Sequence, residues 1–406
     1  MATEDFVIFD TCTLPEYYND VQKILSLPRE HVVTYDYSAG NIEEQALTIL
    51  KRLVRSGERR RVLLAYMQAL DYKKGDSSPE ADPVLPETSF ATLTRLAEVI
   101  AVRELTNNNK TRYYLDLKLL GYPFDRHQTI ANDIVRELRK RNCIPMRIYI
   151  AVCPDNASDV LFAQTGTDEH GFSTVVDGLS TVPSQFYRDT FWRIRKITAR
   201  TKPPIPFLTS KHSNLQPLYR FDAEQTETYL SVRDQSTIFF YLQFHRGREH
   251  GPDYRIRKIR VEISPKSAAD DAVTSFATRS FGRETVAINV PATSSLSVQD
   301  VSYQFETVPH DNDEFKDYPY GPNLKIAVQY RKAPFRSALA LALICAASGL
   351  FAWAAFSTSV LTGVATAGTV VSMCWRTMAV IIGVLATLYS YYLWSDEISL
   401  DRARRS

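Results

Sequence analysis

The sequence predicts an α+β protein in three parts: an N-terminal mixed α/β region, an antiparallel β-sandwich-like domain, and a C-terminal transmembrane helical hairpin. Three observations carry that prediction. The first segment alternates strand-like and helix-like runs, the pattern of an α/β layer. Beyond Leu218 the chain reads as strand after strand, separated by turn-rich pieces. Between Ser337 and Ser395 the only charged residue is Arg376.

The elements follow in order. "DFVIFD" reads as a strand, "LPEYYNDVQKILSL" as a helix opened by Pro15, and "HVVTYDYS" as a second strand. "NIEEQALTILKRLVRSG" places Ile42, Ala46, Ile49, Leu50 and Leu53 on one helical face, with Asn41 as its cap and Gly57 as its stop. "RRVLLAYMQAL" is a third strand. The polar, proline-bearing stretch Lys73–Ser89 is either an exposed loop or a subdomain boundary, which would subdivide the first region near 73–89. Two strands then flank the turn "TNNNK" in a hairpin. "DRHQTIANDIVRELRKRN" is a helix and "IPMRIYIAV" a strand, whereas Cys153–Gly178 reads as loop-rich. The consecutive prolines of "KPPIP" mark a linker. Five strand runs complete the sandwich, the last being "LKIAVQY".

Domain boundaries follow: 1–200 for the mixed α/β region, 218–332 for the sandwich, 337–395 for two transmembrane helices, and 396–406 for a cytosolic tail. A bilayer core needs about 20 apolar helical residues, and Ser337–Phe356 and Thr377–Trp394 each fit. Arg331, Lys332 and Arg336 precede the first span and Arg402, Arg404 and Arg405 follow the second, which places both termini in the cytoplasm of a multi-pass inner-membrane protein. Ala338, Ala342, Ala346 and Gly349 form a small-residue face for helix association between chains, or for packing the two spans together.

Composition narrows the function classes. A net charge of +2 over 406 residues excludes a general polyanion binder. Five scattered cysteines without CxxC spacing exclude a disulfide framework or zinc ribbon and favour a reducing compartment. No phosphate loop, dinucleotide turn, HExxH or GxSxG motif is present. No cofactor and no metal site is expected, and an enzymatic role is left open with the balance against it. Dispersed candidates for acid–base or nucleophilic chemistry are Asp10 with Cys12 at the end of the first strand, and His245 with His250 in "FHRGREHGPD". Asp168, Glu169 and His170 gather in another expected loop.

Basic clusters are better represented. In "FWRIRKITARTK", Arg193, Arg195 and Lys196 are interleaved with Phe191 and Trp192, a combination that holds phosphates and stacks bases. Arg257 and Lys258 in "YRIRKIR" continue such a surface or face anionic lipid headgroups. The expected partners are therefore a lipid bilayer, further copies of the chain, and a protein or a nucleotide or nucleic-acid ligand.

With "FVIFD", "FWRIRK" and the apolar tail in place, the layout resembles prokaryotic antiviral membrane effectors. That resemblance covers the whole chain loosely and implies a cytosolic ligand- or partner-sensing region attached to a short transmembrane hairpin; the expected function is a non-enzymatic, membrane-anchored sensor–effector that recognises an intracellular cue or partner and perturbs the membrane by oligomerising. The alternatives are a membrane-tethered enzyme acting on nucleotides or nucleic acid, and a scaffold that anchors a partner.

Overall fold

The computed structural model describes residues 4–11, 15–69, 89–108, 110–123, 133–134, 136–138, 140–141, 148–154, 157–163, 168–181, 190–201, 212–221, 226–233, 236–246, 258–264, 274–277, 282–289, 299–308, 324–331, 334–359 and 368–394. The first unit is built from β1 (Phe6–Thr11), α1 (Pro15–Ser26), β2 (Val32–Ser38), α2 (Glu44–Ser56), β3 (Arg60–Ala69), β4 (Ser89–Asn107), β5 (Lys110–Leu119), β6 (Ile150–Val152) and the short α3 (Ala157–Phe162). Its sheet has the order β2-β5-β4-β3-β1-β6. Only β1 and β3 run parallel, and the β4–β5 hairpin turns through Asn108 at φ 49°.

Alternation along the central strands supplies both faces. Phe6, Ile8, Val62, Leu64 and Val99 pack under Ile49, Leu50 and Leu53 of α2. Val7, Phe9, Leu63 and Ala65 face the helical residues Ile134 and Leu138 on the other side. Helix α2 stops at Gly57, whose φ of 64° is left-handed and whose N–H reaches Leu53 O, as a C-terminal glycine does. Its N-terminal cap is Glu43 rather than Asn41, which lies in a short 3-10 turn.

The second unit is a two-sheet sandwich. One sheet has the order β13-β12-β15-β16-β10-β9, the other β14-β11-β7-β8. The strands of the six-stranded sheet are β9 (Leu218–Phe221), β10 (Thr226–Arg233), β12 (Lys258–Ser264), β13 (Thr274–Ala277), β15 (Gln299–Val308) and β16 (Leu324–Arg331). The four-stranded sheet holds β7 (Thr190–Thr201), β8 (His212–Asn214), β11 (Ser236–Arg246) and β14 (Gly282–Asn289). Strand β7 precedes the proline-rich stretch yet pairs along its length with β11, so it belongs to this unit. The sandwich is not wholly antiparallel, because β10 and β16 run parallel. Trp192, Phe240, Leu242, Tyr303, Phe305, Leu324, Ile326 and Val328 fill the space between the sheets. A fully buried side chain of this size contributes about 1.5–3 kcal/mol.

Beyond β16 two helices, α5 (Pro334–Ser359) and α6 (Gly368–Trp394), pack against each other. Ala347 and Ala379 are buried, and a Cβ at Gly383 would meet the Phe351 ring at 2.9 Å. Among the described residues no helix is long and apolar enough to cross a membrane. The transmembrane hairpin expected for 337–395, and the multi-pass inner-membrane placement built on it, are corrected accordingly.

Candidate ligand site at the joint between the two units

The path to the site begins with a bulge. Along β7, Trp192 and Ile194 face the sandwich interior while Phe191 and Arg193 face the other way. The register to β11 then shifts, with Leu242 opposite Ile194 and Tyr241 opposite Lys196. Arg195 is the extra residue, and the bulge returns Ile197 and Ala199 to the interior face. The interleaved basic and aromatic residues are therefore split between faces. Trp192 is core, and Arg193 is 3 % exposed on the outer face.

That outer face meets the first unit through two helices, α1 and α4 (Asp168–Thr181). Phe172, Val175, Val176 and Leu179 form one stripe of α4 and pack with Val21, Leu25, Tyr66, Tyr122 and Phe191. The approach is close. A Cβ at Gly171 would lie 2.9 Å from Tyr122 Cβ and 3.0 Å from its carbonyl oxygen, so glycine is required there. Ser26 Oγ also donates to Trp192 O at 2.6 Å, tying the end of α1 to β7.

Two buried guanidiniums sit in this joint. Arg95, on β4, is 1 % exposed. Its Nη1 donates to Ile24 O at 2.5 Å and Leu27 O at 2.7 Å, and its Nε to Leu120 O at 3.1 Å. It thus satisfies carbonyls at the C-terminal end of α1, where a cation complements the helix dipole. Its Cζ lies 4.3 Å from the centre of the Tyr122 ring. Burial pulls its pKa down, Arg193 and Arg29 add to that, and Tyr122 and Asp168 oppose it. Half-buried His31, at the start of the adjoining strand, is pushed down to about 3 by desolvation and then by the charges of Arg95 and Lys23.

Arg193 is held differently. Its Nε donates to Gln243 Oε1 at 2.8 Å, and its Cζ lies 5.1 Å and 5.2 Å from the Tyr122 and Phe172 rings. Among the described residues its guanidinium makes no ion pair. The strand register sets Arg193, Gln243 and Arg283 in one row across β7, β11 and β14. At the end of that row stands Glu169, in the first turn of α4. It accepts from Arg283, lies 3.8 Å from Arg195, and is held below the usual carboxylate range by Arg283 first, then by Arg195 and Arg193. Two residues along β11 from Gln243, His245 Nε2 and Asp177 Oδ1 are 3.3 Å apart.

Among the described residues the remaining candidates form no second cluster. Cys12, His250 and Arg257 lie outside the described residues. Asp10 and Lys258 are placed only by their strands, opposite Tyr66 and Val308. His245 lies on β11 rather than in a loop, and Asp168, Glu169 and His170 open helix α4 rather than a turn. Ala342, Ala346 and Gly349 are exposed, so these three do not hold the hairpin together; Ala338 lies in α5 and its side chain lies outside the description. A second basic feature, an open cavity of about 470 Å³ lined by Thr48, Lys51, Arg52, Arg55 and Ser56, sits on the outer surface of α2. Among the described residues, no group of three or more His, Cys, Asp or Glu could hold a metal ion.

Arg95, Tyr122 and Gln243 were not visible as site residues in the sequence. A signal that could have found the first is an arginine set between Leu93 and Leu96 within the strand-like run "FATLTRLAEVIAV". Compared with known proteins, the chain matches no family model and no curated protein.

Proposed function

We propose that the protein is a non-enzymatic sensor–effector, in which the joint between the two units receives an intracellular cue and the α5–α6 hairpin delivers the output by self-association. The observation that carries this reading is the path from joint to hairpin. Strand β16 lies between β15 and β10, ends at Arg331, and is followed by α5 from Pro334. Strand β10 is itself bound to the first unit: Thr226 Oγ1 donates to Asp116 at 2.5 Å and Val32 N to Thr228 Oγ1 at 3.0 Å. A shift at the joint therefore moves a strand directly beside the one that leads into α5.

The output side rests on exposed apolar surface. Leu341, Trp353, Trp375, Met378, Leu385 and Leu388 are each more than half exposed. Contiguous apolar surface on this scale marks an interaction site, and a further copy of the chain offers the matching surface.

Cys345 is exposed on α5 and provides the readout. Thiol crosslinking of the full chain is expected to give a Cys345-dependent dimer that rises with protein concentration and is absent in Cys345→Ser. Thr226→Val is expected to change its yield by about fivefold, the lower end of ordinary coupling between sites. A flexible Gly/Ser insertion between Arg331 and Pro334 should abolish that response. Equal yields in all three chains would refute the relay. Crosslinking that follows added detergent or lipid vesicles, and not protein concentration, would refute self-association.

A further inference from the structure

We infer that Arg193, Arg195 and Arg283 form a binding site for a small phosphate-bearing ligand, and that the carboxylate of Glu169 occupies this site in the ligand-free protein. Three guanidiniums from two strands of one sheet act on a single carboxylate, which hydrogen-bonds one of them, lies 3.8 Å from the second and is influenced by the charge of the third. One carboxylate leaves the cluster with a surplus of positive charge. The deepest member, Arg193, is 97 % buried and, among the described residues, without an ion pair, which is costly for a cation unless another group compensates it.

Phosphate chemistry fits this deficit better than a second carboxylate does. A phosphate group carries more charge than the glutamate it displaces and offers additional acceptor oxygens to arginine forks. Gln243, whose Oε1 already takes Arg193 Nε, fixes the orientation of that guanidinium. The Phe172 ring, 5.2 Å from Arg193 Cζ, gives the site an apolar wall. The location suits a ligand site too, since clefts between structural units are where such sites occur most often.

Displacement of Glu169 would release the first turn of α4 from β7 and β14. The remainder of α4 is packed against Tyr122 through Gly171 and Phe172. Ligand entry is thereby linked to the joint, and in that respect the inference rests on the sensor reading above. The binding site itself does not.

The test uses the full chain at constant ionic strength, with chloride balancing each anion, because exposed arginines attract any anion at low salt. Inorganic phosphate, pyrophosphate, a nucleoside monophosphate and a short single-stranded oligonucleotide are titrated by calorimetry. Saturable binding of at least one small phosphate is expected. It should strengthen about tenfold in Glu169→Gln, where the competing charge is gone, and weaken at least about tenfold in Arg193→Gln and in exposed Arg283→Gln. The Arg283 variant guards against misfolding of the buried one. Absence of small-phosphate binding in both the native chain and Glu169→Gln overturns the site, as does binding indifferent to Arg283→Gln. Binding by the oligonucleotide alone overturns the small-ligand assignment. Saturable phosphate binding that leaves Cys345 crosslinking unchanged retains the site and refutes the sensor reading.

Discussion

Replacing Asp116 by alanine tests whether the two units are joined by a buried charge. Asp116 is wholly buried on β5 and accepts three hydrogen bonds, from Thr34 Oγ1 at 2.7 Å, Arg103 Nη2 at 2.8 Å and Thr226 Oγ1 at 2.5 Å. Nε and Nη1 of Arg103 are already buried without a partner. Removing the carboxylate would leave this guanidinium uncompensated, and breaking a buried pair from one side costs about 3–5 kcal/mol. Thr226→Val removes one hydrogen bond to a charged acceptor and is expected to cost about 1.5–3 kcal/mol. Asp116→Asn retains the shape and should fall between the two. The assay is equilibrium urea unfolding followed by circular dichroism and tryptophan fluorescence together, since a chain of two units need not unfold in one step. The Asp116→Asn/Thr226→Val pair should be non-additive by at least about 0.5 kcal/mol. A cost below about 1 kcal/mol for Asp116→Ala, the range of solvated pairs, would refute the buried-lock reasoning.

Three further outcomes are expected. In the sandwich core the hydroxyls of Tyr303 and Tyr330 share a hydrogen bond, and burial pushes Tyr330 up to about 12 and Tyr303 well above its ordinary value. The unfolded tyrosine ionises near 10, so stability is intact below that pH and declines from about 10 to about 12, by up to roughly 3 kcal/mol for Tyr330. Tyr330→Phe should therefore be less stable than the native chain at pH 8 and approach it by pH 11 in urea midpoints. At the acid end, His31 remains neutral in the fold down to about 3 but charges near 6.5 when unfolded, so stability is full above 6.5 and falls as pH drops towards 3. His31→Gln should flatten that decline between pH 6.5 and 4, and an unchanged slope would contradict it. Gly171→Ala should lower stability by about 1–3 kcal/mol in thermal denaturation, because its methyl group meets the backbone oxygens of Tyr122 and Pro123 at 3.0 and 3.1 Å.

What the sequence revealed depended on the range of the interaction. The hairpin of β4 and β5, the stripe on α2 and the stop at Gly57 are local, and each was written in spacing or in a turn. Helix α4 was missed because Gly171, Gly178 and the polar "TGTDEHG" obscured a Phe172–Val175–Val176–Leu179 stripe. The parallel pairing of β10 with β16 joins strands nearly a hundred positions apart, and no local pattern records it. In "FWRIRK" the sequence showed basic and aromatic residues interleaved. It did not anticipate the bulge at Arg195, which decides which charges share a face. Of the residues expected to bind a ligand, Arg193 and Arg195 reach the joint while Phe191 and Trp192 serve as packing. At the C-terminus the apolar run was read as two membrane spans, whereas among the described residues no helix is long and apolar enough to cross a membrane.

The joint has the energetic scale that a sensor needs. Coupling between distant sites is typically about 1–3 kcal/mol, comparable to one charge-assisted hydrogen bond such as Thr226 to Asp116. Larger locks would hold the two units rigid, and smaller ones would transmit little. The Glu169 cluster is exposed by about two-fifths at the carboxylate and more at Arg283, so exchanging its anion carries a modest cost. Arg193 beneath it is nearly sealed, and any change in the charge above it is poorly screened. In the proposed sensor the exposed rim would supply reversibility and the buried arginine sensitivity. Gln243 and the pairing of β7 with β11 lead from that arginine into the sandwich whose other sheet contains β16.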